Sequence, residues 1–240
     1  MRASCEVENG VALVRMDDGG KNVVSPAMIR DLHVALDHAE RSASVLVLTG
    51  REQVFCAGFD LQVIKRGNPV ETLQMLIGGF RLAARLLAFP MPVVIACNGH
   101  AVAMGAFLLL TGDYRFWAKG DFRIATNEVA IGLTVPRAGL EICRQRLTPA
   151  ALTRATLLAE DWYGDAAVAA GFVDQRVDAE TVLDAAMAYA KGLSLDAMAH
   201  KHSKARLRQR ELVTLRKAIW RDALSFIWMG CSALFRKKRK

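Results

Sequence analysis

The apolar and polar positions divide the chain into an α/β first part and a helical second part. Ser4–Glu8 and Val11–Met16 are short β-prone runs joined by Asn9-Gly10, two residues that tolerate positive φ, and together they predict a hairpin. Ser25-Pro26 has the form of an N-cap followed by the first helical position, opening a helix to about Ala39 with Met28, Ile29, Leu32, Ala35 and Leu36 on one face. SVLVLT at 44–49 predicts a buried strand ended by Gly50, and PVVIAC at 92–97 predicts another. Between them, residues 70–88 carry Leu73, Leu76, Ile77, Phe80, Ala83, Ala84 and Leu87 at helical spacing and stop at Pro90 and Pro92. A buried helix is expected over 104–110, and strands over 114–118 and 122–125. Beyond Pro136 the pattern is mainly helical: 137–146, 149–159, 165–170, 179–192 and 197–235, the last in two or more pieces, with one strand at 172–177. The expected organisation is an α/β core over 1–195 and a basic amphipathic helical extension over 196–240.

Composition narrows this picture. Of the 240 residues, 52% are hydrophobic and 23% charged, which supports a large core and excludes wholesale disorder. Five scattered cysteines without a Cys-x-x-Cys pair point to incidental thiols in a reducing compartment. The opening MRASCEVENG has no apolar signal core, and no stretch offers about 18 uninterrupted apolar residues, so a cytoplasmic protein is expected. His200-x-His202 lacks nearby acidic or cysteine partners, and no metal is expected. Residues 201–240 hold 13 Lys and Arg against 2 acids, within a net charge of +8. That basic tail reads either as a solvated helix face or as a contact for a polyanion or anionic lipid.

Three segments share a chemical logic. Phe55-Cys56-Ala57-Gly58-Phe59-Asp60-Leu61 follows a buried strand with small residues that let a ligand approach the backbone. Asn98 to Gly105 passes from a strand into a helix start, where unpaired N–H groups suit an oxyanion. Asn127-Glu128-Val129-Ala130-Ile131-Gly132 puts a carboxylate in an apolar run, where desolvation raises its pKa towards neutrality.

In this order and spacing, FCAGFDL, NGHAVAMGAFLLLTGDYR and NEVAIGLTVPRAGLEICRQRL resemble the three signature blocks of the crotonase (enoyl-CoA hydratase/isomerase) superfamily, across roughly residues 5–180. The resemblance implies a spiral of ββα units with a C-terminal helical trimerisation region, a homotrimer or dimer of trimers, and an acyl-CoA thioester substrate with no cofactor beyond its CoA moiety. It implies backbone N–H donors at Phe59 and Met104 for the thioester oxygen, with Ala57, Phe59, Asp60, Leu61 and Met104 along the CoA path. Glu128 matches one of the two glutamates that the family's hydratases use. The other falls at Phe107, which cannot activate water, and Arg137 stands where some isomerases carry a second acid. A single Glu favours isomerisation by a proton shuttle over hydration.

Each residue also has a plainer reading. Glu128 pairs with Arg123 or Arg144 in a structural ion pair, Asp60 holds its own loop through an Asx bond, and His100 is a hydrogen-bonded core histidine. Competing functions are hydration, acyl-CoA binding without turnover, and RNA binding through the basic tail; an aromatic content of 7%, confined in the tail to apolar stripes, argues against an RNA platform. The stripe Leu212, Leu215, Ile219, Ala223 and Phe226, flanked by Trp220, Leu224, Ile227, Cys231 and Phe235, is expected to pack on neighbouring subunits, with a membrane surface as the minority reading.

Overall fold

The computed structural model describes the backbone of residues 1–237 and the side chains through residue 228; Cys231, Phe235 and the side chains of the terminal basic run lie outside the described residues. Strands β1 (Ala3–Glu8) and β2 (Val11–Met16) form the expected antiparallel hairpin, with Asn9 at φ 50° and Gly10 at φ 78°. Ser25 then caps α1 (Pro26–Ser42) by accepting from the Met28 N–H at 3.1 Å. The apolar face of α1 crosses over the sheet, and β3 (Val45–Thr49) lies parallel to β2.

Next come β4 (Gln53–Cys56), α2 (Leu61–Lys65), α3 (Pro69–Leu87), β5 (Val93–Cys97), β6 (Gly99–Val102), α4 (Met104–Leu109), β7 (Tyr114–Ala118) and β8 (Ile124–Ala125). The helical half holds α5 (Arg137–Arg144), α6 (Pro149–Leu157), α7 (Gly164–Ala170), β9 (Gln175–Val177), α8 (Val182–Gly192), α9 (Ala197–Leu207) and α10 (Gln209–Lys237). The strands build two sheets. One has six strands in the order β1-β2-β3-β5-β7-β9, parallel apart from the hairpin; the other has three parallel strands in the order β4-β6-β8. This repeated strand-strand-helix progression agrees with the ββα units that the resemblance implied.

Several expectations are corrected. The strand expected over 122–125 shrinks to Ile124–Ala125, and that over 172–177 to Gln175–Val177, because Asp174 turns to bind the Arg115 backbone and side chain instead. The helix expected over 179–192 opens with a 3-10 turn at Ala179–Thr181. The short β4, α2 and β6 were not foreseen at all.

The extension departs most from expectation. Its helices lie on the core of their own chain, α10 over α3 and α5. Leu212, Leu215, Ile219 and Ala223, expected to meet neighbouring subunits, are buried within the chain, whereas Trp220, Leu224 and Ile227 flanking that stripe stay exposed. The basic face is not wholly solvated either. Lys204 and Arg208, one helical turn apart, are only 6% and 7% exposed. Lys204 Nζ donates to Asp113 at 2.6 Å and to the Met91 carbonyl at 3.0 Å, and Arg208 donates to Asp113 at 2.6 Å.

Candidate active site

The small sheet explains why three distant blocks converge. Strands β4, β6 and β8 run parallel in adjacent positions, with Cys56 opposite Ala101 and Val102 opposite Ala125. Their carboxyl ends therefore fall on one edge, and residues 57–60, 103–105 and 126–128 leave it side by side. Carboxyl edges of parallel strands are where open α/β sheets bind ligands.

Two backbone donors sit at this edge. Val24 pairs with Phe59 in an isolated parallel bridge, its N–H donating to the Gly58 carbonyl at 2.8 Å and its carbonyl accepting from the Asp60 N–H at 3.4 Å. That pattern turns the Phe59 N–H to the opposite side. Gly58, at φ +98°, is so close to the second block that a Cβ there would lie 3.0 Å from Ala103 Cβ and 3.5 Å from Met104 N. The Met104 N–H is the first of α4 and has no carbonyl one turn back. Neither the Phe59 nor the Met104 N–H finds an acceptor among the described residues. Ala103 makes the turn with φ 51° and ψ −120°, a strained conformation that costs about 1–3 kcal/mol. It is held there by its N–H on the Ala125 carbonyl at 2.8 Å and by the Ala106 and Phe107 amides, which both donate to its carbonyl. Met104 itself is fully buried.

The carboxylate follows β8. Glu128 is 7% exposed, and its Oε2 has no hydrogen-bond partner among the described residues. Burial pushes its pKa above the ordinary carboxylate value, opposed by its own backbone N–H. Both candidate ion-pair partners are engaged elsewhere: Arg123 on Asp161 at 2.8 Å and Arg144 on Glu141 at 2.5 Å. The buried thiol of Cys143 on α5 is pushed up by burial and, secondarily, by the Glu128 charge.

Phe107 stands on α4. It is 1% exposed and lies so tightly on α5 that a Cβ at Gly139 would come within 2.6 Å of its ring. Its ring centroid is 5.8 Å from that of Phe80, which in turn is 5.9 Å from Phe59. Arg137 points away towards α10, pairing with Asp222 at 3.2 Å and donating to Ser225 at 3.0 Å.

The remaining sequence candidates have local duties. Asp60 caps α2 by accepting from the Gln62 N–H at 2.8 Å, Leu61 is exposed beside it, and the half-buried Ala57 ties its N–H to the Lys21 carbonyl at 3.1 Å. His100 accepts from the Arg123 N–H at 3.1 Å and stands edge-on to Phe122, hydrogen-bonded as expected but half-buried and not in the core. Sequence reasoning passed over Phe80, Gly139, Cys143 and Asp222. A separate groove of about 530 Å³ lies between α3 and α10, lined by Arg81, Arg85, Arg216 and Trp220 among others, away from this edge.

The enoyl-CoA hydratase/isomerase family profile matches residues 6–222. The chain belongs to that family. It is 42% identical to an enoyl-CoA hydratase from Mycobacterium ulcerans, whose crystal structure superposes with a TM-score of 0.91 over 94% of this chain and 100% of that one. It is 43% identical to an enoyl-CoA isomerase from Mycobacterium tuberculosis, with a TM-score of 0.87 over 93% of this chain and 98% of the other. A peroxisomal enoyl-CoA delta isomerase from Arabidopsis thaliana is 30% identical over 70% of this chain and 74% of its own length. Family membership makes the chain an enoyl-CoA hydratase/isomerase-type enzyme, and an acyl-CoA substrate is consistent with it. Relatives carry both peroxisomal and mitochondrial names, and no helix among the described residues is long and apolar enough to cross a membrane.

Proposed function

We propose that this enzyme moves a double bond from the 3- to the 2-position of an acyl-CoA thioester, with Glu128 as its only acid/base. One observation carries the reading: a buried carboxyl group with an oxygen that has no partner among the described residues, while the position matching the family's second acid holds a buried phenyl ring. The thioester oxygen is held by the Phe59 and Met104 N–H groups. Glu128, as carboxylate, takes the proton from C2, and the electron pair passes through the enolate to that oxygen. The protonated Glu128 then returns the proton to C4 as the C2–C3 double bond forms. No atom is gained or lost. Removing one donor of such a pair typically slows the reaction by about 100- to 1,000-fold. No cofactor beyond CoA is needed for this shuttle, Ala57, Asp60 and Leu61 line the approach of the CoA arm, and the working enzyme is a cytoplasmic homotrimer or dimer of trimers.

The test is incubation with a panel of 2-enoyl- and 3-enoyl-CoA thioesters in deuterated water, followed by mass spectrometry. The expected result is interconversion of the two isomers with deuterium uptake and no addition of water, abolished in Glu128→Gln. Brisk hydration of crotonyl-CoA that is indifferent to Glu128→Gln overturns the proposal. So does a Tm raised by CoA ligands without any product.

A further inference from the structure

Helix α5 begins without a cap of its own. Its cap position is Pro136, which has no side-chain acceptor for the orphaned first N–H groups. A residue of α10 supplies what is missing. Asp222 Oδ1 accepts from the Arg137 N–H at 3.1 Å, and Oδ2 accepts from the Ala138 N–H at 2.9 Å. The Arg137 guanidinium folds back on the same carboxylate at 3.2 Å. A negative group at this end also suits the helix dipole.

What α5 carries gives this clamp its importance. Gly139, one residue past the clamped amides, is the surface on which the Phe107 ring rests, and Cys143, one turn further on, is buried within range of the Glu128 charge. Glu128 and α5 are joined by a segment whose Val129, Ile131 and Leu133 are exposed, so this wall has solvent directly outside it. Among titratable groups, Cys143 registers the Glu128 charge, while Arg144 is held by Glu141 and Arg123 by Asp161.

We infer that Asp222 is a positioning residue which, by fastening the start of α5 to α10, holds closed the wall that keeps water from the Glu128 carboxyl group. Its consequence for catalysis rests on Glu128 being the acid/base; the clamp itself is measured without turnover.

Stability measures it first. Compare the Tm of the full chain with that of its Glu128→Gln counterpart at about pH 4 and about pH 8, in the wild-type background and in Asp222→Ala and Asp222→Asn. In the wild type the carboxyl is buried, so the Glu128→Gln chain gains relative to its parent as pH rises. In Asp222→Ala, with water admitted, that pH-dependent gain falls to less than half. Asp222→Asn, which keeps one good acceptor, is intermediate. In turnover, Asp222→Ala lowers the acidic limb of the kcat/KM profile, cuts kcat several-fold with little change in KM, and raises the share of hydrated product. An undiminished gain in folded Asp222→Ala overturns the inference, and if that variant does not fold, an undiminished gain in Asp222→Asn does the same. Should Glu128→Gln leave turnover intact while the gain still depends on Asp222, the proposed chemistry falls and the clamp stands.

Discussion

Two buried charge sites in this molecule follow opposite rules. Beneath α9, Asp113 accepts from Lys204 and Arg208, each at 2.6 Å, and from the Val93 N–H at 2.8 Å. Nearby, Arg115 grips Asp174 through both carboxylate oxygens at 2.8 Å and donates to the Gly171 and Phe172 carbonyls. At the edge of the small sheet, Glu128 is more deeply hidden than either of these acids and has an oxygen with no partner among the described residues. Burying charge is tolerable when it is paired and hydrogen-bonded, and the first site sets its two cations on one carboxylate and on backbone carbonyls. The second leaves a carboxyl group with an oxygen unmatched among the described residues and a pKa raised by burial. The difference separates a joint from a reagent.

Glu128→Gln tests the comparison most severely. It should lower turnover by about 100- to 10,000-fold in a spectrophotometric isomerase assay. The same variant should lose the parent's pH dependence of stability. The folded Glu128 carboxyl keeps its proton to a higher pH than the unfolded one, so wild-type stability attributable to it is complete below about pH 4.5 and is lost as pH rises through the folded value. Asp113→Asn should do the reverse at the other site. By weakening the centre of a buried ionic group it should lower stability by about 3–5 kcal/mol in urea melts, while the folded fraction keeps its specific activity. A large loss of turnover there would show that the two sites are not independent.

Lys204→Met sharpens the contrast further. Burial holds the Lys204 ammonium at about 8, below its ordinary 10.5, despite Asp113. The unfolded chain therefore keeps a proton that the folded chain has lost, and wild-type stability should rise between about pH 8 and 10.5. The Met variant should lack that rise in Tm measurements across the window. The smallest expected effect is at Ala103→Gly. Relieving a positive φ should add about 1 kcal/mol to unfolding stability and leave KM unchanged if the Met104 N–H keeps its direction.

How legible each feature was depended on whether its signal is local. Helix α1 declared itself through Ser25-Pro26 and a regular apolar face, and β3 and β5 through unbroken apolar runs. Strands β4 and β6 are four residues each, built around Gln53, Gly99 and His100, and become strands through pairing with one another. The blocks that line the edge were legible through their order and spacing, which resemble the family's signature; singly, each reads as ordinary core or loop residues. Asp113 is 91 residues from Lys204 and 95 from Arg208, a separation that leaves no trace in periodicity. An apolar stripe on α10 announces burial but not whether its own core or another subunit provides the cover. One clue to Asp222 was present and unused: a helix opening at Pro136 without a polar cap demands an acceptor from elsewhere.

The contact between Phe107 and Gly139 ties two positions into a single steric unit. With the ring in place, residue 139 has no room for even a methyl group; with a shorter acid at 107, the same spot becomes a hollow. A route from this arrangement to one with paired acids therefore runs through two coordinated exchanges, a carboxylate gained on α4 and lost volume refilled on α5. Neither change alone leaves a well-filled interior, which makes the aromatic alternative a local trap in sequence space.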